Sequence, residues 1–450
     1  MLKQPQKEHG NKSPRSLAVT REGTWIAAGQ ISSIIAMLVS VRILTEYFKP
    51  SDYGTLVLLM TVAGLTNQVT LGALANGMSR FFVVASERLE LDSYLNACGR
   101  LVIYSFFVAS ALVLILSLII SSTNYNQLLL LIFAVALTSF FTGVNNCISS
   151  IQNAARRRHV VAINLVLEGW MKIGFMLVAI HLMGVSITNV ILGYLVSAAL
   201  LSFINYLLLR TPRKVWKEQK NSTTEKWVAE IWQYSWPFST WGLFTWGQQI
   251  SDRWTLELFT SPSDLAYYAI AYQLGFSPSN IALSFIVTLL YPLVYQKAGD
   301  SSDQTRRQDA RKLILKTLKL GLLLTVVLTI VAATTHQLIF TILVSSDYIQ
   351  ASKYLPWMVM AGGLFANGQI LTLQFMVDFR TRPLMKIKII TSSIGIGMIV
   401  IGGYVYEIEG VIAGLITFST FYLSSLSAYL LKNSENNNIN SRVKRTTDNP

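Results

Sequence analysis

Of the 450 residues, 52% are hydrophobic and only 13% charged, and the mean hydropathy is +0.45. Soluble domains carry roughly 25% charged residues, so this composition excludes a soluble globular protein and indicates a polytopic membrane protein. The formal net charge of +14 falls in the connections between apolar runs, which excludes nucleic-acid binding.

A helix needs about 20 apolar residues to span the hydrocarbon core. Twelve runs qualify in chain order: 25–44, 53–75, 101–121, 128–151, 160–182, 185–209, 236–258, 265–295, 315–333, 354–376, 387–406 and 411–431. The eighth is over-long and carries Pro278, which predicts a bend or break. Residues 1–24 are polar and basic, with Lys3, Lys7, Lys12, Arg15 and Arg21. The run that follows lacks a small-residue cleavage site and reads as a retained helix. Cys98 and Cys147 read as free thiols, and the four histidines form no ligand motif.

Basic residues fill every second connection: Arg80, Arg88 and Arg100; Arg156 to Arg158; Arg210 to Lys226; Lys297 to Lys319; Arg380 to Lys388. The intervening connections hold only Lys49 and Lys353. By the positive-inside rule both termini are cytoplasmic. Residues 210–233 form a basic linker between two six-helix lobes, 25–209 and 234–431, and the polar tail 432–450 is expected to be disordered.

The lobes share a sequence repeat. "SVRILTEYFKPSD", residues 40–52, matches "SDRWTLELFTSPSD", residues 251–264, pairing Arg42 with Arg253, Glu46 with Glu257 and Phe48 with Phe259. After one extra residue, Pro50-Ser51-Asp52 meets Pro262-Ser263-Asp264. The copies stand six helices apart and point the same way across the membrane, as in parallel repeats with a site between two bundles.

Ionisable residues within the spans are few: Arg42; Glu168 and Lys172; Asp252, Arg253 and Glu257. Each costs about 2.5–3.5 kcal/mol at mid-depth and is expected to face protein or water. Glu168 and Lys172 stand four apart, either as a structural ion pair or in substrate or proton coupling. Arg42 with Glu46, and the stripe Gln249, Arg253, Glu257, lie nearer the outer surface, where Arg42 either snorkels or lines an aqueous wall. Amides such as Asn67 and Asn145 extend the polar lining. Tyr268 and Tyr272 either stack on sugars or anchor at the interface. No nucleophile–base set, metal cluster or phosphate loop stands at useful spacing, so transport is expected and not catalysis.

"RILTEYFKPSDYG", residues 42–54, resembles the leucine-glycine-proline-x-x-tyrosine-glycine turn of bacterial polysaccharide repeat-unit flippases, with Thr45 and Lys49 departing from it. Residues 235–275 are more similar still, through Pro237, Asp252, Arg253, Tyr268, Ala271 and Tyr272, and "LYPLVYQ" at 290–296 is similar too. That family lies in the multidrug/oligosaccharidyl-lipid/polysaccharide exporter superfamily. The resemblance implies alternating access by two six-helix lobes in the bacterial inner membrane. The implied substrate is an undecaprenyl-pyrophosphate-linked oligosaccharide destined for O-antigen (lipopolysaccharide), capsule or exopolysaccharide. Implied partners are that glycan, the bilayer and polysaccharide polymerase machinery. Arg42, Arg253 and Lys172 are expected to hold the phosphates, because an arginine fork bonds two oxygens at once. Glu46, Glu168, Gln249, Asp252, Glu257, Asn67, Asn145, Tyr268 and Tyr272 are expected to line the chamber. No cofactor is expected beyond proton or sodium exchange through Glu168 or Asp252. The alternative is a drug or cation antiporter of the same superfamily.

Overall fold

Apolar runs of this length bury their backbone polar groups only as helices, and helices account for nearly all of the described chain. The computed structural model describes residues 14–119, 125–209, 221–283, 304–377 and 381–447, with 286 and 294 besides. "LYPLVYQ" and residues 210–220 of the linker lie outside those residues, apart from Val294. In order the helices are α1 (Pro14–Tyr47), α2 (Pro50–Asn67), α3 (Ala73–Glu87), α4 (Leu91–Ile119), α5 (Tyr125–Ala154), α6 (Arg158–Met183), α7 (Ile187–Leu208) and α8 (Asn221–Phe259). There follow α9 (Pro262–Ala271), α10 (Gln304–Leu343), a 3-10 segment (Ser346–Tyr354), α11 (Leu355–Val377) and α12 (Thr381–Thr447).

Among the described residues, six helices are long and apolar enough to cross a membrane, or seven if α2 and α3 form one bent span. A π-helical turn, Gln68–Gly72, joins that pair. A second π turn, Tyr272–Phe276, follows α9. Pro278 lies just beyond it and supplies no backbone N–H to the ladder; the expected irregularity there is this widened turn.

α12 is two helices joined at Tyr406 and Glu407, where Glu407 takes φ 51°. Beyond the break the chain doubles back. Gly402 and Gly410 meet backbone to backbone, and Gly395 packs on Phe418 as Gly414 packs on Ile399. A Cβ at either Gly402 or Gly410 has no room, so only glycine lets the two arms approach this closely. The helix continues to Thr447, past the Leu431 at which the sequence reading ends the last span and begins a disordered tail.

α8 also begins earlier than the sequence reading places it. Its first turns, in the basic linker, dock on α3 and α4. Trp227 is buried there, and its Nε1 donates to Glu90 Oε2 at 3.0 Å. Arg88 lies over the indole at 5.5 Å, and Tyr94 and Phe81 meet it edge-on at 5.9 and 6.0 Å. Ile231 and Ser235 complete a buried stripe at four-residue spacing. Tertiary packing on this stripe makes helix of a segment whose charge suggests a loop.

Candidate functional site

The first half of the chain contributes α1, α2, α6 and α7 to one wall of a cavity of about 640 Å³, and the second half contributes α8, α9 and the π turn after it. α1 presents Ser33, Met37, Ser40 and Leu44, and α2 presents Tyr53, Leu56, Val57, Met60, Thr61 and Gly64. Both stripes follow the three- and four-residue spacing of one helical face. The chargeable groups on the wall are Glu168 and Lys172 from α6 and Arg253 from α8.

Each cation is backed by a tyrosine ring. Lys172 Nζ stands 4.2 Å from the centre of Tyr194, and the Arg253 guanidinium stands 4.2 Å from the centre of Tyr272. Such contacts contribute about 0.5–2 kcal/mol and steady the cation against the ring face. Tyr272 in turn stacks on Phe276 at 4.4 Å.

Arg253 also rests on a buried carboxylate. Its Nη1 donates to Asp252 Oδ1 at 2.9 Å and Oδ2 at 3.0 Å, and to the Gln249 carbonyl at 2.8 Å. The side chains are 13% and 3% exposed. Tyr268, fully buried, donates its hydroxyl to Asp252 Oδ2 at 2.5 Å. Behind this group lies a smaller cavity of about 40 Å³, lined by Gln248, Asp252, Tyr272 and Asn280 among others.

Glu168 and Lys172 do not form the ion pair that their spacing allows. No nitrogen–oxygen approach within 4.0 Å joins them, and Glu168 has no hydrogen-bond partner among the described residues. The carboxylate faces the cavity unpaired.

At the end of the bundle carrying the α1–α2 turn, the two halves are latched together. Tyr53 donates to Gln273 Oε1 at 3.0 Å, and both residues line the cavity. Tyr348 donates to the Phe48 carbonyl at 2.7 Å, and its ring meets Tyr53 edge-on at 6.0 Å. Ser345 N donates to Thr45 Oγ1 at 3.2 Å. Arg42 belongs to this latch. It donates to the Val344 carbonyl and pairs with Glu46 at 3.0 Å. Its side chain is 43% exposed and that of Glu46 60%.

This corrects the expectation for Arg42 and Glu46, which do not line the cavity. Their ion pair sits beyond its end, where the guanidinium donates to the carbonyl of Val344, just past α10. Glu257 is exposed and lines neither cavity. Asn67 packs toward Gly143 of α5. Asn145 is buried within the first half, where Asn205 Nδ2 donates to both Asn145 Oδ1 and Asn164 Oδ1. Lys172, Arg253, Glu168, Gln249 and Tyr272 are brought together on the cavity wall; Asp252 and Tyr268 support it from beneath. The sequence reading missed Tyr53, Tyr194, Trp246 and the serines of α1. The helical-face spacing of Ser33, Met37 and Ser40 was the available signal.

The same helical fold occurs in "Lipid II flippase MurJ, inward closed conformation", at 15% identity and TM-score 0.69 over 97% of this chain and 94% of that one. It occurs as well in "Inward-facing conformation of a multidrug resistance MATE family transporter of the MOP superfamily", at 11% identity and TM-score 0.65 over 92% and 96% of the chains. An outward-facing structure of a transporter described in the same terms gives 14% identity and TM-score 0.59 over 93% and 97%. No curated protein sequence matches. Residues 19–298, more than half of the chain, match the family described as "Polysaccharide biosynthesis protein", and to that family this multi-pass membrane protein belongs.

Proposed function

We propose that the protein is a flippase that carries an undecaprenyl-pyrophosphate-linked oligosaccharide from the cytoplasmic to the outer leaflet of a bacterial inner membrane. It does so by alternating access of two six-helix lobes, with twelve spans and both termini cytoplasmic, in O-antigen, capsule or exopolysaccharide synthesis. The helical hairpin within α12 supports the span count, because it supplies two passes in one run. One observation carries the functional reading. Each half of the chain contributes one tyrosine-backed cation, Lys172 and Arg253, to a single cavity between them. A pyrophosphate is an acceptor-only anion that pairs with such groups, and 640 Å³ falls within the roughly 300–1,000 Å³ that hold ligands of drug size. The prenyl chain stays in lipid. The latch at Arg42, Phe48 and Tyr53 closes the outer end, so the cavity loads from the cytoplasm.

Lys172→Met with Arg253→Gln, introduced into a host lacking its own flippase, is expected to abolish surface glycan while the protein still accumulates in the membrane. Wild-type glycan from the double variant refutes the reading. The family assignment favours transport of a lipid-linked glycan, the fold fits both readings equally, and the unpaired Glu168 favours a drug or cation antiporter. An efflux assay in a sensitive host separates the two.

A further inference from the structure

Glu168 is the one chargeable group on the cavity wall that the pyrophosphate does not account for. Its helix has little freedom to turn it elsewhere. Gly169 packs so closely on Ala36 of α1 that an added Cβ would stand 2.7 Å from the alanine methyl, and Trp170 Nε1 donates to Ser32 Oγ at 3.0 Å. These contacts fix the rotation of α6 and present Leu165, Glu168, Gly169 and Lys172 to the cavity. Lys172 leans onto Tyr194 and leaves the carboxylate alone.

An ionised carboxylate only accepts hydrogen bonds, and within a membrane it needs donors or a counter-ion. Of the three parts of a lipid-linked glycan, the pyrophosphate also only accepts and repels a like charge, and the prenyl chain does neither. The sugar alone offers hydroxyl and amide hydrogens. A carboxylate has two oxygens and can accept from two neighbouring donors at once. Glu168 stands four residues before Lys172, about 6 Å of helical rise, an offset on the scale of one sugar ring.

We infer that Glu168 reads the sugar nearest the pyrophosphate, accepting two of its hydroxyl or amide hydrogens while Lys172 and Arg253 hold the phosphates. The inference rests on the flippase reading and adds a polarity to it: phosphate toward the cations, first sugar toward Glu168. It makes the cavity selective for a glycosylated carrier over the bare lipid, so the empty carrier is not drawn into the site.

The test uses purified full-length protein and two probes, undecaprenyl pyrophosphate bare and bearing one N-acetylhexosamine. Wild type is expected to prefer the glycosylated probe by at least about tenfold, the worth of one hydrogen bond to a charged acceptor. Glu168→Gln and Glu168→Ala are expected to bind both probes at the bare-probe level. Glu168→Asp, which keeps the charge, is expected to retain part of the preference. Thermal melting of each variant at the wild-type temperature confirms that the fold is intact; if Glu168→Gln or Glu168→Ala melts early, the other of the two decides. Full preference surviving in Glu168→Gln overturns the inference, since a protonated, proton-carrying Glu168 gives that result, and so does equal weakening of both probes. If wild type binds neither probe, the flippase reading fails and this inference with it.

Discussion

Gly54 offers the sharpest test of how the cavity is closed at the end that carries the α1–α2 turn. It lies in the first turn of α2, where a Cβ would fall on the Pro262 carbonyl oxygen, with Pro262 C at 3.0 Å and Ala266 N at 3.5 Å. All three neighbours are backbone atoms in the first turn of α9, so no side chain can swing aside. Any side chain at position 54 therefore pushes α2 and α9 apart. The four latch hydrogen bonds, Arg42 to Val344, Ser345 to Thr45, Tyr348 to Phe48 and Tyr53 to Gln273, flank this crossing. A separation of about 1 Å takes most of them beyond useful length. Overpacking costs about 1–3 kcal/mol, and each weakened hydrogen bond about 0.5–1.5 kcal/mol. With two bonds lost the closed end is destabilised by about 2–6 kcal/mol, a shift of roughly thirtyfold to ten-thousandfold in the closed-to-open ratio. Thr45→Cys with Ser345→Cys reports the gap through a short thiol cross-linker. The native Cys98 and Cys147 are buried. Cross-linking is expected to be fast with Gly54 and clearly slower with Gly54→Leu, by up to the full shift in the closed-to-open ratio. Gly54→Ala is expected to do nearly as much, because the obstacle is the first carbon. Parent-rate cross-linking in Gly54→Ala would refute the claim that a backbone crossing holds this end shut.

Arg42→Ala is expected to slow the same cross-link by up to about fivefold, for about 1 kcal/mol from a half-exposed pair, and to leave binding of bare undecaprenyl pyrophosphate unchanged; weakened binding would return Arg42 to the cavity. Asn205→Leu removes the donor shared by Asn145 and Asn164. Stranding two buried acceptors at about 1–3 kcal/mol each is expected to lower the melting temperature in detergent by several degrees. Asp252→Asn leaves Arg253 without its buried counter-charge. It is expected to tighten bare-probe binding about tenfold and to slow transport, because release then lacks a competitor for the guanidinium; unchanged binding would show that Arg253 does not exchange partners.

Much of the fold is legible because membrane helices must satisfy their own backbone, so apolar length alone announces them. Two of the places where the sequence misleads are governed by packing that composition hides. Residues 221–236 are charged enough to read as a loop, yet Trp227, Ile231 and Ser235 recur every four residues on one face, and that face is what α3 and α4 cover. Asn164 lies on the same helix as Glu168 at the spacing of one face. It nevertheless turns into the first half of the chain, where Asn205 and Ser149 hold it. Spacing gives the face, and only the neighbouring helices decide whether that face sees solvent.

Arg42 and Arg253 show how far a repeat can carry a functional reading. The residue before Arg253 is Asp252, and its counterpart before Arg42 is Val41; both are buried, at 2% exposure. A buried carboxylate gives Arg253 an inward anchor, whereas a buried valine gives Arg42 none. The rings divide the same way. Tyr268 and Tyr272, which donate to Asp252 and back the guanidinium, align with Leu56 and Met60 when the one-residue insertion is counted. Stripped of all three partners, Arg42 turns instead to Glu46 and the end of α10. The motif that places Arg42 on α1 and Arg253 on α8 therefore serves two tasks. One copy holds the halves together, and the other faces the cavity. The second cation of the cavity comes from Lys172, outside the repeat altogether. Similarity between the copies locates both arginines, but the differences at positions 41, 56 and 60 decide which of them meets the cavity.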